Sequence, residues 1–398
     1  MPAKPDTADV PLRTTGVAPF VFALPLLFAF APTPTGLVSP LVALGWLWLN
    51  RVFLRQRWRQ AVLGQLVLLA GLWGMLGWFW AVRPAVAATD AALFVVEVLP
   101  LCLMAHLLAV EGGQHPRINR AFLIGLALAA VLLAVQIRFD FLLRSLLPGA
   151  DQPMPGLKLN VPGAALAIAA WAGLAASASL PRRWQALSVL TLLLLGWCAL
   201  AGVGTAPRLA FAGGLLVYGL ALLAPRLAAW SIALGCGLMH AVSPFLGSYR
   251  WASAYLTEYS WRHRMDIWAL SGRLIAERPF LGYGFLNSDA APFEPYMMPL
   301  THQPADMPSY PHNVLLQVQL EQGIVGVVLF YTALGYLLCV LQRYATPARA
   351  AGLATLAAAL CVWAVGYPFS RGHWVGWLAF VGLAYAATGA ARAGRCPA

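Results

Sequence analysis

Charge is what this sequence has least of. Only 10% of its 398 residues are Asp, Glu, Lys or Arg, while 61% are hydrophobic. Soluble domains carry about 25% charged residues, so this balance excludes an ordinary soluble protein, and the apolar content excludes a disordered chain. Cysteine is sparse too. The six (Cys102, Cys198, Cys236, Cys339, Cys361, Cys396) are scattered, five of them inside apolar runs. None has a metal-like or redox-like spacing, which argues against a zinc site or a disulfide scaffold. Also absent are a repeat of fixed period, a low-complexity tract and any nucleotide-binding motif.

What the chain has in quantity is apolar runs of the length that crosses a bilayer, about 20 residues. They fall near 17–32, 36–50, 61–82, 91–110, 121–137, 160–179, 186–205, 208–224, 227–246, 314–341, 350–368 and 373–389. This pattern predicts an all-α integral membrane protein with about twelve transmembrane helices. The first two runs are short for a full crossing. The first is not expected to be a removable signal peptide, because Pro25 and Pro32–Thr35 stand where small residues would mark cleavage.

An even number of spans puts both ends on one side. Basic residues in the connections divide fifteen to eleven, and five of the eleven lie in one long loop that the positive-inside rule discounts. The richer side, with both termini, is expected to be cytoplasmic. It holds three acids (Asp6, Asp9, Glu111), so it accounts for the whole net charge of +12. The basic character therefore records topology and points to no nucleic-acid partner. The organisation expected is nine helices over 1–246, a large periplasmic loop over 247–312, and three helices with a cytoplasmic tail over 313–398.

Two outward segments interrupt the apolar pattern: Arg138–Asn160, and the 66 residues from Gly247 to His312. A loop that long in a compact bundle is usually functional. Its first part, from about Tyr255 to Glu277, reads as an amphipathic helix with Trp261, Ile267, Trp268 and Leu274 to bury. Its second part, Arg278–Tyr310, is rich in Pro, Gly and Met and reads as irregular.

Tyr310-Pro311-His312-Asn313 immediately precedes a long apolar helix. At about 100° per residue, Gln319, Gly323, Gly326 and Phe330 all fall within about 40° of His312. One face thus presents an imidazole, an amide and two glycines. Glycine inside a helix is unfavourable by about 1 kcal/mol relative to alanine, so two on this face mean a close approach by another helix or a substrate. A plain packing seam is the alternative. Arg208 follows Gly204-Thr205-Ala206-Pro207 at the start of a span, and Arg264 lies four residues before Trp268, beside Arg262 and His263. Guanidinium groups grip phosphate oxygens at two points; snorkelling to the interface is the alternative for Arg208. Arg138, Arg144 and Lys158, with Asn160, could meet a lipid diphosphate or ordinary headgroups. Glu97, His106 and His240 read as structural groups within spans. Asp289, Glu294 and Asp306 read as solvated loop acids. Pro279–Gly284 is a turn-rich element whose reading as a phosphate cradle lacks the flanking strand and helix.

His312-Asn313, nine residues, then Gly323-Ile324-Val325-Gly326 resembles the signature of bacterial O-antigen ligases, the lipopolysaccharide ligases. Arg208, the Arg264–Trp268 pair and Pro279-x-x-Gly282-x-Gly284 extend the likeness over about Gly204–Phe330. The resemblance implies a GT-C-like glycosyltransferase architecture, with the active site at the periplasmic face of a Gram-negative inner membrane. It implies transfer of O-antigen polysaccharide from undecaprenyl diphosphate to a sugar hydroxyl of lipid A–core oligosaccharide. Neither a cofactor nor a metal is called for, since the glycosyl–diphosphate bond supplies the energy. His312 would be the general base of an inverting displacement, and Arg208 and Arg264 would bind the diphosphate. Tyr310, Asn313, Gln319, Arg262, Trp268, Lys158 and Asn160 would contact substrate. The wider group includes O-antigen polymerases and protein O-oligosaccharyltransferases, which stay open as alternatives. A transporter is a further one, although the inverted symmetry that transporters tend to show is not visible.

Overall fold

The structure, a computed structural model, describes residues 12–30, 32–139, 159–202, 204–246, 258–368 and 372–389. Lys158, Arg144 and the first part of the long loop lie outside the described residues. Every helix expected from the apolar runs is present: α1 (Val17–Phe30), α2 (Pro32–Leu49), α3 (Arg51–Arg57), α4 (Val62–Leu76), α5 (Pro84–Glu111), α6 (Pro116–Arg138), α7 (Asn160–Ser177), α8 (Arg182–Ala201), α9 (Thr205–Leu223), α10 (Pro225–Leu246), α11 (Tyr259–Glu277), α12 (Val314–Leu341), α13 (Thr346–Val365) and α14 (Gly372–Ala386). Among the described residues there is no β-strand, and Cys102, Cys198, Cys236, Cys339 and Cys361 are free thiols.

Nine helices among the described residues are long and apolar enough to cross a membrane, or ten if the bent α2–α3 pair is one span. With the shorter apolar helices α1 and α14 these make up the expected total of about twelve spans, two of them less than a full crossing. The reason is length: at 1.5 Å per residue the 14 residues of α1 and 15 of α14 reach only about 21–23 Å, short of a hydrocarbon core of about 30 Å.

Helix starts follow local chemistry. Proline opens α5 and α6, where its missing N–H is no loss, and α5 stops at Gly112 in the left-handed conformation. The middle of the bundle is made by α7 and α13, both runs of alanine and glycine with nearly all residues buried. Small side chains let helices approach closely where lipid supplies no hydrophobic drive. Trp171 of α7, for instance, fits over Gly214 of α9, where a Cβ would stand 2.2 Å from the indole nitrogen. Around this pair pack α6, α8 and α9, while α4, α5, α2 and α14 form a second flank.

The long helix α12 is not continuous. Gly323 has φ 62° and ψ −157°, outside helical geometry. The Pro279–Gly284 turn fills the notch. Tyr283 N donates to Leu320 O (2.9 Å), Gly284 N to Glu321 O (2.9 Å), and Ile324 N to Pro279 O (3.0 Å). This corrects one expectation: the straight helical face drawn from His312 to Phe330 ends at the break. The glycine-rich turn, whose phosphate-cradle reading lacked flanking elements, is a wedge inside a broken helix. The close approach expected at the glycines of α12 is made by this turn at Gly323, whereas a Cβ on Gly326 would meet Gln322 and Val318 of its own helix.

Candidate functional site

His312 sits between two fixed points. Before it, the indole N–H of buried Trp268 donates to Pro311 O (3.0 Å). After it, Asn313 caps α12: its Oδ1 accepts from Leu315 N (3.0 Å) and Leu316 N (3.4 Å), and its Nδ2 donates to Ser243 Oγ (2.9 Å). An asparagine cap of this kind stabilises by about 1 kcal/mol. His312 itself is held at φ 53°, a left-handed conformation that is uncommon for a side chain of its size and marks local strain.

A guanidinium, an imidazole and a helix end meet there. The last carbonyls of an α-helix lack intrahelical partners. At the end of α13, Val365 O accepts from Arg264 Nε (2.9 Å), and Gly366 O accepts from His312 Nδ1 (3.1 Å). The negative end of the α13 dipole thus binds a guanidinium and an imidazole on successive residues. Arg264 also donates from Nη1 to Ser260 O (3.1 Å) and to Ser260 Oγ, and its Cζ lies 5.4 Å from the Trp261 ring. Tyr310 meets the His312 ring edge-on, centroids 4.5 Å apart.

The electrostatics favour a neutral imidazole. Burial pulls the His312 pKa below its ordinary 6.5, and the nearby Arg264 and His263 push the same way against the opposing bond to Gly366 O. A carbonyl oxygen can only accept, so Nδ1 carries the proton and Nε2 keeps its lone pair. Burial also lowers Arg264 from its ordinary value, but a guanidinium remains charged.

The remaining predicted residues divide. Asn160, at the first turn of α7, touches Gly204, where a Cβ would fall 1.8 Å from Asn160 Oδ1; two residues on, Ala206 touches Gly366. The start of α7, the start of α9 and the end of α13 therefore meet beside His312. Arg208 belongs to this corner through its backbone, yet its described hydrogen bonds go to Ala199 O (3.3 Å), Leu200 O (3.4 Å) and Gly202 O (2.7 Å). It closes the end of α8 and leaves the guanidinium exposed, rather than bonding His312 or Arg264. Arg262 is half-buried on the same turn of α11 as Arg264. Gln319 pairs below the site: its Oε1 is 2.7 Å from His240 Nε2, and Tyr331 OH is 3.3 Å from His240 Nδ1. Asn313, 1% exposed, and Trp268, 2% exposed, are fully engaged in holding the His312 segment rather than open to a substrate.

Two acids that sequence reasoning passed over hold the loop in place. Asp266, fully buried, accepts from Leu300 N (3.1 Å), Thr301 N (2.9 Å) and Thr301 Oγ1 (2.8 Å). Glu321, 2% exposed at the helix break, accepts from Leu286 N (3.1 Å), Ser288 Oγ (2.7 Å) and Gln317 Nε2 (3.0 Å). Glu321 had a signal available, since an acid within an apolar run is a position to explain by default. Asp289, among the solvated acids expected, pairs with Arg83. Below the loop, a cavity of about 330 Å³ runs between α4, α5, α12, α13 and α14, lined mainly by apolar and aromatic side chains.

Fold and site together define a multi-span membrane protein with a cationic, partly dehydrated polar cluster at one end of its bundle. Residues 157–331, which include the His312 cluster except for the end of α13, match the family model described as Wzy_C, O-antigen ligase. A protein of Rickettsia felis described as a "putative polysaccharide ligase" is 27% identical over 290 residues, covering 70% of this chain and 66% of the relative. Proteins of the same description from Rickettsia conorii and Rickettsia prowazekii are 30% and 37% identical over shorter stretches, 30% and 22% of this chain. These stretches cover 28% and 20% of those relatives. Over these stretches the chain is similar to the O-antigen ligase family.

Proposed function

We propose that this protein is a glycosyltransferase of the bacterial inner membrane that moves O-antigen polysaccharide from undecaprenyl diphosphate to a sugar hydroxyl of lipid A–core oligosaccharide. The observation that carries the reading is the placement of His312 and Arg264 on the successive carbonyls of Gly366 and Val365. It leaves His312 Nε2 as a neutral acceptor next to a fixed positive charge. The acceptor hydroxyl gives its proton to Nε2 as its oxygen attacks the anomeric carbon. The bond from that carbon to the diphosphate breaks on the opposite side, which inverts the configuration. Negative charge gathers on the departing diphosphate, where Arg264 stabilises it in poorly hydrated surroundings.

Arg208 takes the distal phosphate by turning from the carbonyls of α8, a rotation its exposure allows. Asn160, Tyr310 and Arg262 line the approach of the sugars, and the loop residues 258–312 cover them from the periplasm. The apolar cavity between α4, α5 and α12–α14 receives the isoprenoid chain. With two guanidiniums meeting the diphosphate, no divalent ion is required.

The test is transfer in vitro with purified lipid-linked donor and lipid A–core. His312→Ala is expected to abolish transfer while inserting normally, and Arg264→Ala and Arg208→Ala to reduce it severely. Chelator is expected to leave the rate unchanged. Substantial transfer by His312→Ala removes the base assignment, and a strict divalent requirement removes the arginine clamp. Product identity decides among acceptors: polysaccharide on lipid A–core supports the proposal, whereas longer lipid-linked chains or glycosylated protein overturn it.

A further inference from the structure

At the end of the bundle away from His312, the chain turns through 89° between α2 and the segment Arg51–Gln60. The turn is built. Buried Asn50 accepts from Arg13 N (2.8 Å) and donates to Arg13 O (3.2 Å) and Trp46 O (3.0 Å). Phe53 is buried beneath the segment, and the Arg57 backbone hydrogen-bonds His106 of α5. Since α2 packs against α5, a right-angle turn from it carries the segment across the bundle axis.

The level of this segment follows from α5. Arg83, at the start of that helix, bonds Asn287 and Leu286 of the long loop. His106 lies about 35 Å further along at 1.5 Å per residue, close to the thickness of a hydrocarbon core. Arg51–Gln60 therefore lies in the opposite interface from the loop.

Its chemistry is one-sided. Four arginines (Arg51, Arg55, Arg57, Arg59) fall within nine residues, and no Asp or Glu occurs anywhere between Asp9 and Asp90. Among the described residues no ion pair engages Arg51, Arg55 or Arg59, all exposed. Exposed indoles flank them, Trp48 at 69% and Trp58 at 45%, with the Arg51 guanidinium 5.1 Å from the Trp48 ring. Indoles favour the headgroup layer, and guanidiniums beside them favour anionic phosphate.

We infer that Arg51–Gln60, lying flat in the interface opposite the active site, is a binding surface for anionic phospholipid. Its occupant is a phosphodiester headgroup held by Arg51, Arg55 and Arg59, with its acyl chains alongside Trp48 and Trp58. The inference does not depend on the transfer reaction.

The full-length protein is reconstituted in phosphatidylcholine vesicles containing an equal fraction of either brominated-tail phosphatidylglycerol or brominated-tail phosphatidylcholine, and quenching of tryptophan emission is compared. Wild type is expected to associate several-fold more strongly with the brominated anionic lipid; about fivefold per arginine is the ceiling. Arg51→Gln/Arg55→Gln/Arg59→Gln is expected to lose most of that preference, whereas Arg182→Gln/Arg183→Gln/Arg226→Gln keeps it. Trp48→Phe/Trp58→Phe, which retains every arginine, is expected to show a smaller preference because its reporters are gone. Equal quenching by the two lipids in wild type overturns the inference. So does equal loss in both triple variants, or a preference undiminished in the double tryptophan variant.

Discussion

Gly323→Ala is the sharpest test of how the loop and the bundle are joined. At φ 62° and ψ −157° an L-residue is strained by about 1–3 kcal/mol. The added Cβ would also stand 2.1 Å from Phe280 O and 2.4 Å from Phe280 C. Those are backbone atoms of the wedge, so no side-chain rotation relieves the clash. Relief requires the turn to withdraw, which breaks the three main-chain bonds across the notch, each with a net value of about 0.5–1.5 kcal/mol. The expected loss is about 3–6 kcal/mol, a large part of a typical folding free energy of about 5–15 kcal/mol. Gly335→Ala in the same helix is the control, since a Cβ there meets nothing within 4 Å. Thermal unfolding in one detergent compares the two. At about 2–4 °C per kcal/mol, Gly323→Ala should melt at least about 6 °C lower, and Gly335→Ala should melt at or slightly above wild type. Limited proteolysis should cut the 279–288 segment faster in Gly323→Ala alone. Equal melting of the two variants would refute the wedge argument.

Other expected outcomes follow from the same geometry. Because His312 is depressed below 6.5, its base form predominates at pH 7, so kcat/KM should level off on the alkaline side and fall as pH drops through a value below 6.5; a midpoint above 7 in the free enzyme contradicts the neutral-imidazole reading. Glu321→Gln leaves one acceptor oxygen facing three donors at a buried position, which should cost about 1–3 kcal/mol. Its melting point should drop, and unchanged melting would show that the carboxylate does not hold the loop.

The sequence carried the helices because an apolar run bounded by Pro, Gly or charge has one stable outcome in lipid, where every backbone group must be paired within the segment. It carried His312 and Arg264 because polar groups at the outer end of such runs need a reason to be there. What it hid is the path of the backbone through Gly323. The run from Val314 to Leu341 reads as one helix, and only the Pro279–Gly284 turn, some forty residues earlier, explains why it breaks at Gly323. The same limit misdirected the reading of Asn313 and Gln319. A helical wheel aligns Gln319 with His312 but cannot show that it turns to His240, and adjacency to His312 cannot show that Asn313 is spent on capping α12. Arg208 is the instructive middle case. Its position at the mouth of α9 is legible, whereas its direction is set by the free carbonyls of α8, which compete with any phosphate for the same guanidinium. The diphosphate proposed above would have to offer Arg208 more than those neutral acceptors do. A phosphate adds an opposite charge and a two-point contact that separate carbonyls lack, so the competition would run in favour of the ligand.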